Sequence, residues 1–294
     1  MATRLPLIVI VGPTASGKTS LSIRLAKEFG GEIISADSRA IYRLLDIGTA
    51  KPSFPEREGV PHWGIDLVNP DERFTVSEFK LYTTEKIEEI RRRGNIPFLV
   101  GGTGLYVNAT IYDYQFPPGG NDIARRETLM KKGLGELYDY CKKHNIKLPE
   151  NKKNKRYVVN NILRNGENPK RKHELLEDTI VVGIATEKSR LKQRIQMRAK
   201  QMFSPELYDE AVCAGKIYGW NSEAMTGNIY PLIRQIVAGE MTETEAMERF
   251  AVLDWQLAKR QLTWFRRDSN IRWLSLDDAY TYLAHHLSEL NNSC

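Results

Sequence analysis

Cysteine is scarce in this chain, and apolar runs are short. Its three cysteines, Cys141, Cys213 and Cys294, are odd in number and far apart. That excludes a disulfide framework and a paired-cysteine metal site, and it fits a reducing compartment. The apolar run from Leu5 to Val11 is broken by Pro6, is too short to span a membrane, and leads into a glycine-rich loop rather than a small-residue cleavage site. No signal peptide and no membrane partner are therefore expected, and a cytoplasmic location is. There is no acidic excess either: 43 lysines and arginines face 37 acidic residues, a net charge of +6. This balance suits an acidic partner, of which nucleic acid is the commonest. Internal repeats and low-complexity linkers are missing. With 294 residues, 41% of them hydrophobic, the chain can bury one large core, or one core with a smaller appendage.

What the sequence does contain is organised around Gly12-Pro13-Thr14-Ala15-Ser16-Gly17-Lys18-Thr19, which satisfies every position of the phosphate-binding pattern G-x-x-x-x-G-K-[ST]. The residues before it read as a buried parallel strand and those from Thr19 to Phe29 as a helix, the context this motif requires. Backbone N–H groups of such a loop curl around anionic oxygens at the positive start of a helix. Lys18 adds a cation, and the Thr19 hydroxyl can ligate a magnesium ion (Mg2+) carried by the phosphates. A ligand bearing a di- or triphosphate is expected.

Further along, Glu32 to Ala36 reads as a strand delivering Asp37-Ser38-Arg39 to its C-terminal end, the edge where open parallel sheets place their chemistry. Asp37 there can bind the metal ion, act as a base, or cap the following turn. Ile47 to Pro52 is turn-rich, and His62 to Asp66 reads as a strand end. Thr75-Val76-Ser77-Glu78 has capping-box spacing and opens a helix running to Arg93. Ile96 to Val100 reads as a strand feeding a second glycine-rich turn, Gly101-Gly102-Thr103-Gly104. Two such turns at one sheet edge suggest a site for two substrates. After Ile111 the pattern changes. Arg125 to Lys147 reads as one amphipathic helix, and Asn151 to Lys172 is basic with little apolar content. Thr179 to Ala185 reads as a return to the sheet, followed by helices over Glu187 to Met202, Met225 to Tyr230, Glu243 to Phe250 and Gln256 to Arg267. A last strand covers Ile271 to Leu274 and a closing helix Asp277 to Leu290.

The order of Gly12 to Thr19, Asp37-Ser38-Arg39, Ile47 to Pro52, His62 with Ile65-Asp66, and Pro97 to Tyr106 resembles that of the tRNA dimethylallyltransferases. The C-terminal run Ala258-Lys259-Arg260-Gln261-Leu262-Thr263-Trp264-Phe265-Arg266 resembles that family's most distinctive signature, and Arg194, Arg198, Gln201 and Met202 sit as in its arginine-bearing helix. The resemblance implies an α/β fold, a P-loop NTPase-like parallel sheet flanked by helices, with a mainly helical insertion domain at residues 123–178 that contacts tRNA. The catalytic core is then 1–122 with 179–294. It implies transfer of the five-carbon group of dimethylallyl diphosphate to the exocyclic amino group of the adenosine on the 3′ side of the anticodon.

The roles follow from the same resemblance. Gly12 to Thr19 hold the diphosphate; Lys18, Arg198 and a Thr19-bound magnesium ion offset charge on the departing pyrophosphate; Asp37 takes the proton of the amino group. Asp37, Ser38, Arg39, Ala40, Thr103, Arg125, Arg156, Gln256, Lys259 and Arg260 are expected to meet the tRNA. An anticodon-loop adenosine must be extruded to reach such a site, at a cost of about a few kcal/mol. The chain departs from the family's usual residues at Ala40, Trp63, Asn160, Ile229 and Trp255, all on the side expected to face RNA. Alternatives of other classes are a transferase acting on free adenine nucleotides, a small-molecule kinase, and a tRNA-binding paralogue with weakened catalysis. A monomer is expected.

Overall fold

The computed structural model describes residues 4–117, 122–172 and 174–291. The chain forms two compact units, Met1–Ile111 with Leu175–Cys294, and Tyr112–Glu174. The expected cuts at residues 122 and 178 therefore move. The reason is a short stem that belongs to the second unit: Gln115 and Lys170 exchange backbone hydrogen bonds of 2.8 and 3.0 Å, and Lys172 N–H donates to the Tyr112 carbonyl at 2.9 Å.

In chain order the elements are β1 (Leu7–Val11), α1 (Lys18–Phe29), β2 (Gly31–Ser35), β3 (His62–Trp63), α2 (Val76–Arg92), β4 (Ile96–Gly101) and α3 (Gly104–Ile111). The second unit supplies α4 (Ile123–Lys131), α5 (Leu134–Lys143) and α6 (Lys155–Leu163). There follow β5 (Thr179–Ile184), α7 (Lys188–Met202), α8 (Pro205–Tyr218), α9 (Tyr230–Val237), α10 (Glu243–Phe265), β6 (Arg272–Leu274) and α11 (Leu276–Asn291).

The first unit is built on one parallel sheet with strand order β3-β2-β4-β1-β5-β6. β1 is central, and all five of its residues are buried, as a strand covered by helices on both faces requires. Its register aligns Val11 with Gly101 of β4 and with Gly183 of β5, while Ser35 of β2 aligns with Val100 of β4. The C-terminal ends of β1, β4 and β2 are thus adjacent, and so are the loops that leave them. Ile8, Ile10, Leu25, Ile33, Phe98 and Val182 fill the core against one face, joined by Leu283 and Leu287 of α11. Thr75 closes the expected capping box: its hydroxyl accepts the Glu78 N–H at 3.3 Å, and the Glu78 carboxylate accepts the Thr75 N–H at 2.6 Å. No helix among the described residues is long and apolar enough to cross a membrane.

Three helix expectations are corrected. Glu243 to Phe265 is one continuous helix rather than two. Met225 to Tyr230 is a single 3-10 turn over Ala224–Thr226 followed by α9, which starts with Pro231 in its first turn, where the missing N–H costs nothing. In the second unit the long amphipathic helix is α4 and α5. Gly133 breaks it in an extended conformation, its N–H held by the Glu136 carboxylate at 2.7 Å. The basic run around Lys152 to Lys172 is also not purely a solvated face, because Val158, Val159, Ile162 and Leu163 of α6 pack with Leu129, Leu137 and Cys141 into this unit's own core. Cys294 lies outside the described residues.

Candidate functional site

The loop after β1 folds as its glycines dictate. Gly17 has φ 93° and Ala15 has φ 60°, a pair of left-handed residues that turns successive N–H groups inward to form an anion-binding concavity. A β-carbon at Gly17 would meet the Leu276 side chain at 2.8 Å as well as straining the backbone. Gly12, Pro13, Thr14 and Ser16 are buried and Thr19 is exposed at the first turn of α1. Lys18 folds back over the loop and donates to the Pro13 carbonyl at 3.1 Å. Burial, and to a lesser degree the Arg198 guanidinium, push its ammonium down to about 8, while the Asp37 carboxylate works against them.

Two arginines one turn apart on α7 pin the loop. Arg194 donates to the Ser16 carbonyl at 3.0 Å, and Arg198 donates through Nη1 to the Thr14 hydroxyl. From the other side Gln261 of α10 accepts the Thr14 N–H at 2.8 Å. Leu191, Ile195 and Ala258 hold α7 against α10, so the phosphate loop is gripped by two helices far away in sequence.

Asp37 follows β2, half-buried, with one carboxylate oxygen accepting the Arg39 N–H at 2.8 Å. It remains close enough to Lys18 to act on its charge. Across the neighbouring strand end, Thr103 Oγ1 accepts the Ser38 N–H at 3.0 Å, and Thr103 N–H donates to the Ala36 carbonyl at 3.1 Å. The glycine turn after β4 is therefore sewn to the Asp37 turn. Gly101 has no alternative there, since a side chain would collide with the Ala36 carbonyl.

The structure thus brings Gly12 to Thr19, Asp37, Ser38, Thr103 and Arg198 to one sheet edge. Arg39 is turned to the Glu223 carbonyl and Thr226 hydroxyl, at 2.8 and 3.2 Å. Ala40 is 5% exposed and its carbonyl accepts the Asp66 N–H at 3.1 Å. Gln256, Lys259 and Arg260 are exposed on α10 at helical spacing that makes one face. Arg125 and Arg156 belong to the second unit. Arg125 donates to the Tyr140 hydroxyl at 3.2 Å, and Arg156 is exposed on α6.

The departures from the family pattern have local partners. Trp63 donates to buried Glu32 at 2.6 Å, and Asn160 accepts from Arg126. Among the described residues no three His, Cys, Asp or Glu side chains gather to hold a metal ion. The hydroxyl of Thr19 is a hard oxygen at the loop, the donor type that a magnesium ion arriving with its phosphates would take. Sequence reading passed over Arg194, Gln261 and Asp254 as site residues. The first two carried a signal, in the four-residue spacing with Arg198 and in the C-terminal signature; Asp254 carried none.

Strand order, phosphate loop and flanking cations define the class: a parallel α/β protein of the phosphate-binding-loop type, with a second glycine turn beside the loop. Residues 40–268 match the family model described as IPP transferase, and residues 5–62 match one described as isopentenyl transferase. The chain is 35% identical to the tRNA dimethylallyltransferase of Bacillus cytotoxicus over 287 residues, covering 92% of this chain and 90% of that protein. A crystal structure of the full-length tRNA isopentenylpyrophosphate transferase of Bacillus halodurans superposes with a TM-score of 0.73 at 34% identity, covering 98% of each chain. A eukaryotic dimethylallyltransferase whose structure is described as acting on tRNA has a TM-score of 0.75 at 23% identity, covering 92% of this chain and 73% of that one, and bears on the fold alone. The chain belongs to the IPP transferase family.

Proposed function

We propose that the chain transfers the dimethylallyl group of dimethylallyl diphosphate to the exocyclic N6 of the adenosine 3′-adjacent to the anticodon in tRNA, releasing pyrophosphate. The observation that carries this reading is the placement of Asp37 opposite the cations of a phosphate loop, within reach of Lys18's charge. The allylic C–O bond breaks and its electron pair leaves with pyrophosphate. Lys18, Arg198 and the loop N–H groups meet that charge as it grows, where prearranged dipoles and cations are most effective. The N6 lone pair, delocalised into the adenine ring, forms the new C–N bond as Asp37 takes the N6 proton. Such a base contributes roughly 10²–10⁴ in rate. A magnesium ion brought by the diphosphate and held by the Thr19 hydroxyl would supply further positive charge to the leaving group.

The acceptor is taken to approach the edge where the Asp37 turn and the Gly101–Gly104 turn are joined by hydrogen bonds. Ser38 and Thr103 sit on that joined edge, and the exposed Gln256, Lys259 and Arg260 are assigned phosphate and base contacts. The basic second unit, with Arg125 and Arg156, is assigned to the anticodon stem. The reaction is set in the cytoplasm, with the chain acting as a monomer. The test is acceptor choice with labelled dimethylallyl diphosphate: an unmodified tRNA carrying adenosine at that position, the same tRNA without it, and free AMP. Incorporation into the first alone is expected. Incorporation into AMP would move the protein to the free-nucleotide class, and binding of tRNA without incorporation would make it a weakened paralogue.

A further inference from the structure

One buried carboxylate near the phosphate loop belongs to none of the motifs. Asp254 lies in the middle of α10 and is 4% exposed. Its Oδ1 accepts from Asn228 Nδ2 at 3.1 Å, whereas its Oδ2 is buried with no hydrogen-bond partner among the described residues. The nearest cation is Arg198, whose Nη1 stands 4.0 Å from Oδ2 while donating to the Thr14 hydroxyl of the loop. A single guanidinium therefore lies between the phosphate loop and a buried carboxylate with an unmatched oxygen. Such an oxygen is costly, and the surroundings where α7 meets α10 are apolar, so packing alone gives no reason for a carboxylate here.

We propose that Asp254 is the positioning residue of Arg198: its free oxygen, beside the Nη1 that also meets Thr14, and Met202 Sδ, which accepts from Nε at 3.4 Å, together fix the guanidinium so that its remaining donors are presented to the departing pyrophosphate. The inference rests on the reading that Arg198 serves the diphosphate. An arginine fork carries five donors in one rigid plane, so a carboxylate that holds Nη1 reduces the orientations left to the rest. The charged groups that act on Asp254 are Arg198 from α7 and Asp37 from the end of β2. Burial raises its carboxyl above the ordinary range; Arg198 and the Asn228 amide pull it down and Asp37 pushes it up. Asn228 alone cannot satisfy both oxygens, which leaves Arg198 as the group the second oxygen can reach.

The experiment is a double-mutant cycle of Asp254→Asn and Arg198→Ala in the full chain, read by single-turnover prenyl transfer to tRNA, by calorimetric affinity for inorganic pyrophosphate, and by thermal unfolding. In Asp254→Asn the amide oxygen can keep the Asn228 bond, while a donor replaces the acceptor facing Arg198. A loss of about tenfold in rate is expected, as for a partly buried charge pair at 4.0 Å without a hydrogen bond. Affinity for pyrophosphate should fall with it, the KM for tRNA should stay put, and the unfolding temperature should be unchanged or higher. In the Arg198→Ala background the same substitution should cost nothing more. Additive losses, or a full rate in Asp254→Asn beside an impaired Arg198→Ala, would overturn the positioning role alone. No effect of Arg198→Ala on either readout would overturn the reading of Arg198 itself. Asp254→Ser serves as a second variant and must give the same non-additivity if Asp254→Asn does not fold.

Discussion

Lys18 offers a quantitative test of the phosphate loop. Its ammonium, pushed down to about 8 by burial and by Arg198, is about 90% protonated at pH 7 and about 10% protonated at pH 9. On the proposed reading, dimethylallyl diphosphate binds the charged form. Its own last ionisation, like that of a phosphate monoester, is near 6, so its charge is constant above pH 7. Affinity in magnesium-free buffer should therefore fall about tenfold between pH 7 and pH 9, equivalent to about 1.4 kcal/mol. The sign of the linkage is fixed as well: a ligand that favours the ammonium must draw a proton onto Lys18, so binding at pH 9 takes up about 0.9 proton per site. Calorimetry in buffers of different ionisation enthalpy reads that uptake directly. Lys18→Met should bind weakly at both pH values with no uptake. A flat affinity profile, or equal proton uptake in Lys18→Met, would refute the assignment.

Other consequences are equally specific. Glu210 of α8 accepts the N–H groups of Asp46, Ile47 and Gly48 at 2.6, 2.7 and 2.9 Å and the buried Tyr230 hydroxyl at 2.8 Å. Glu210→Ala strands several of these donors and should cost about 3–4 kcal/mol in urea unfolding; a loss under about 1 kcal/mol would show that the Ile47 to Pro52 turn holds itself. Thr103→Val removes the acceptor of the Ser38 N–H and should cost about 0.5–1.5 kcal/mol in unfolding, the worth of one neutral hydrogen bond, and lower kcat/KM for tRNA about five- to tenfold. Because burial raises the Asp254 carboxyl above its ordinary 3.8, the folded chain keeps a proton that the unfolded chain has released. Stability is therefore lost as pH rises from 3.8 through the raised value. The stability gain of Asp254→Asn over the parent should be small below that window and grow across it, as urea titrations at a series of pH values would show.

How far the sequence carries this site depends on whether each contact is local. Gly12 to Thr19 is legible because its function is its own backbone: the glycines, the lysine and the hydroxyl lie within one turn of chain. Asp37 is legible as the residue leaving a strand at the active edge of a parallel sheet. Gln261 and Arg194, by contrast, reach the loop only because α10 and α7 pack together beside it, and no periodicity states which helix will stand there. Asp254 misleads in a further way. A charged residue in mid-pattern makes one helix read as two, when its burial is the structural point. In the second unit Gly133 is the signal that splits α4 from α5, and the apolar side of α6 is masked by the density of lysine and arginine around it. α8 went unread although Pro205 at its start and Gly219 at its end mark both limits.

In the proposed site, cations hold the diphosphate while Asp37 deprotonates the acceptor. Single-turnover transfer from dimethylallyl diphosphate to an anticodon stem-loop, measured for wild type and Asp37→Asn together with diphosphate affinity, tests it most directly. Asp37→Asn should bind the diphosphate within about threefold of wild type and transfer about 10²–10⁴ more slowly. A transfer rate within a few-fold of wild type would contradict the account.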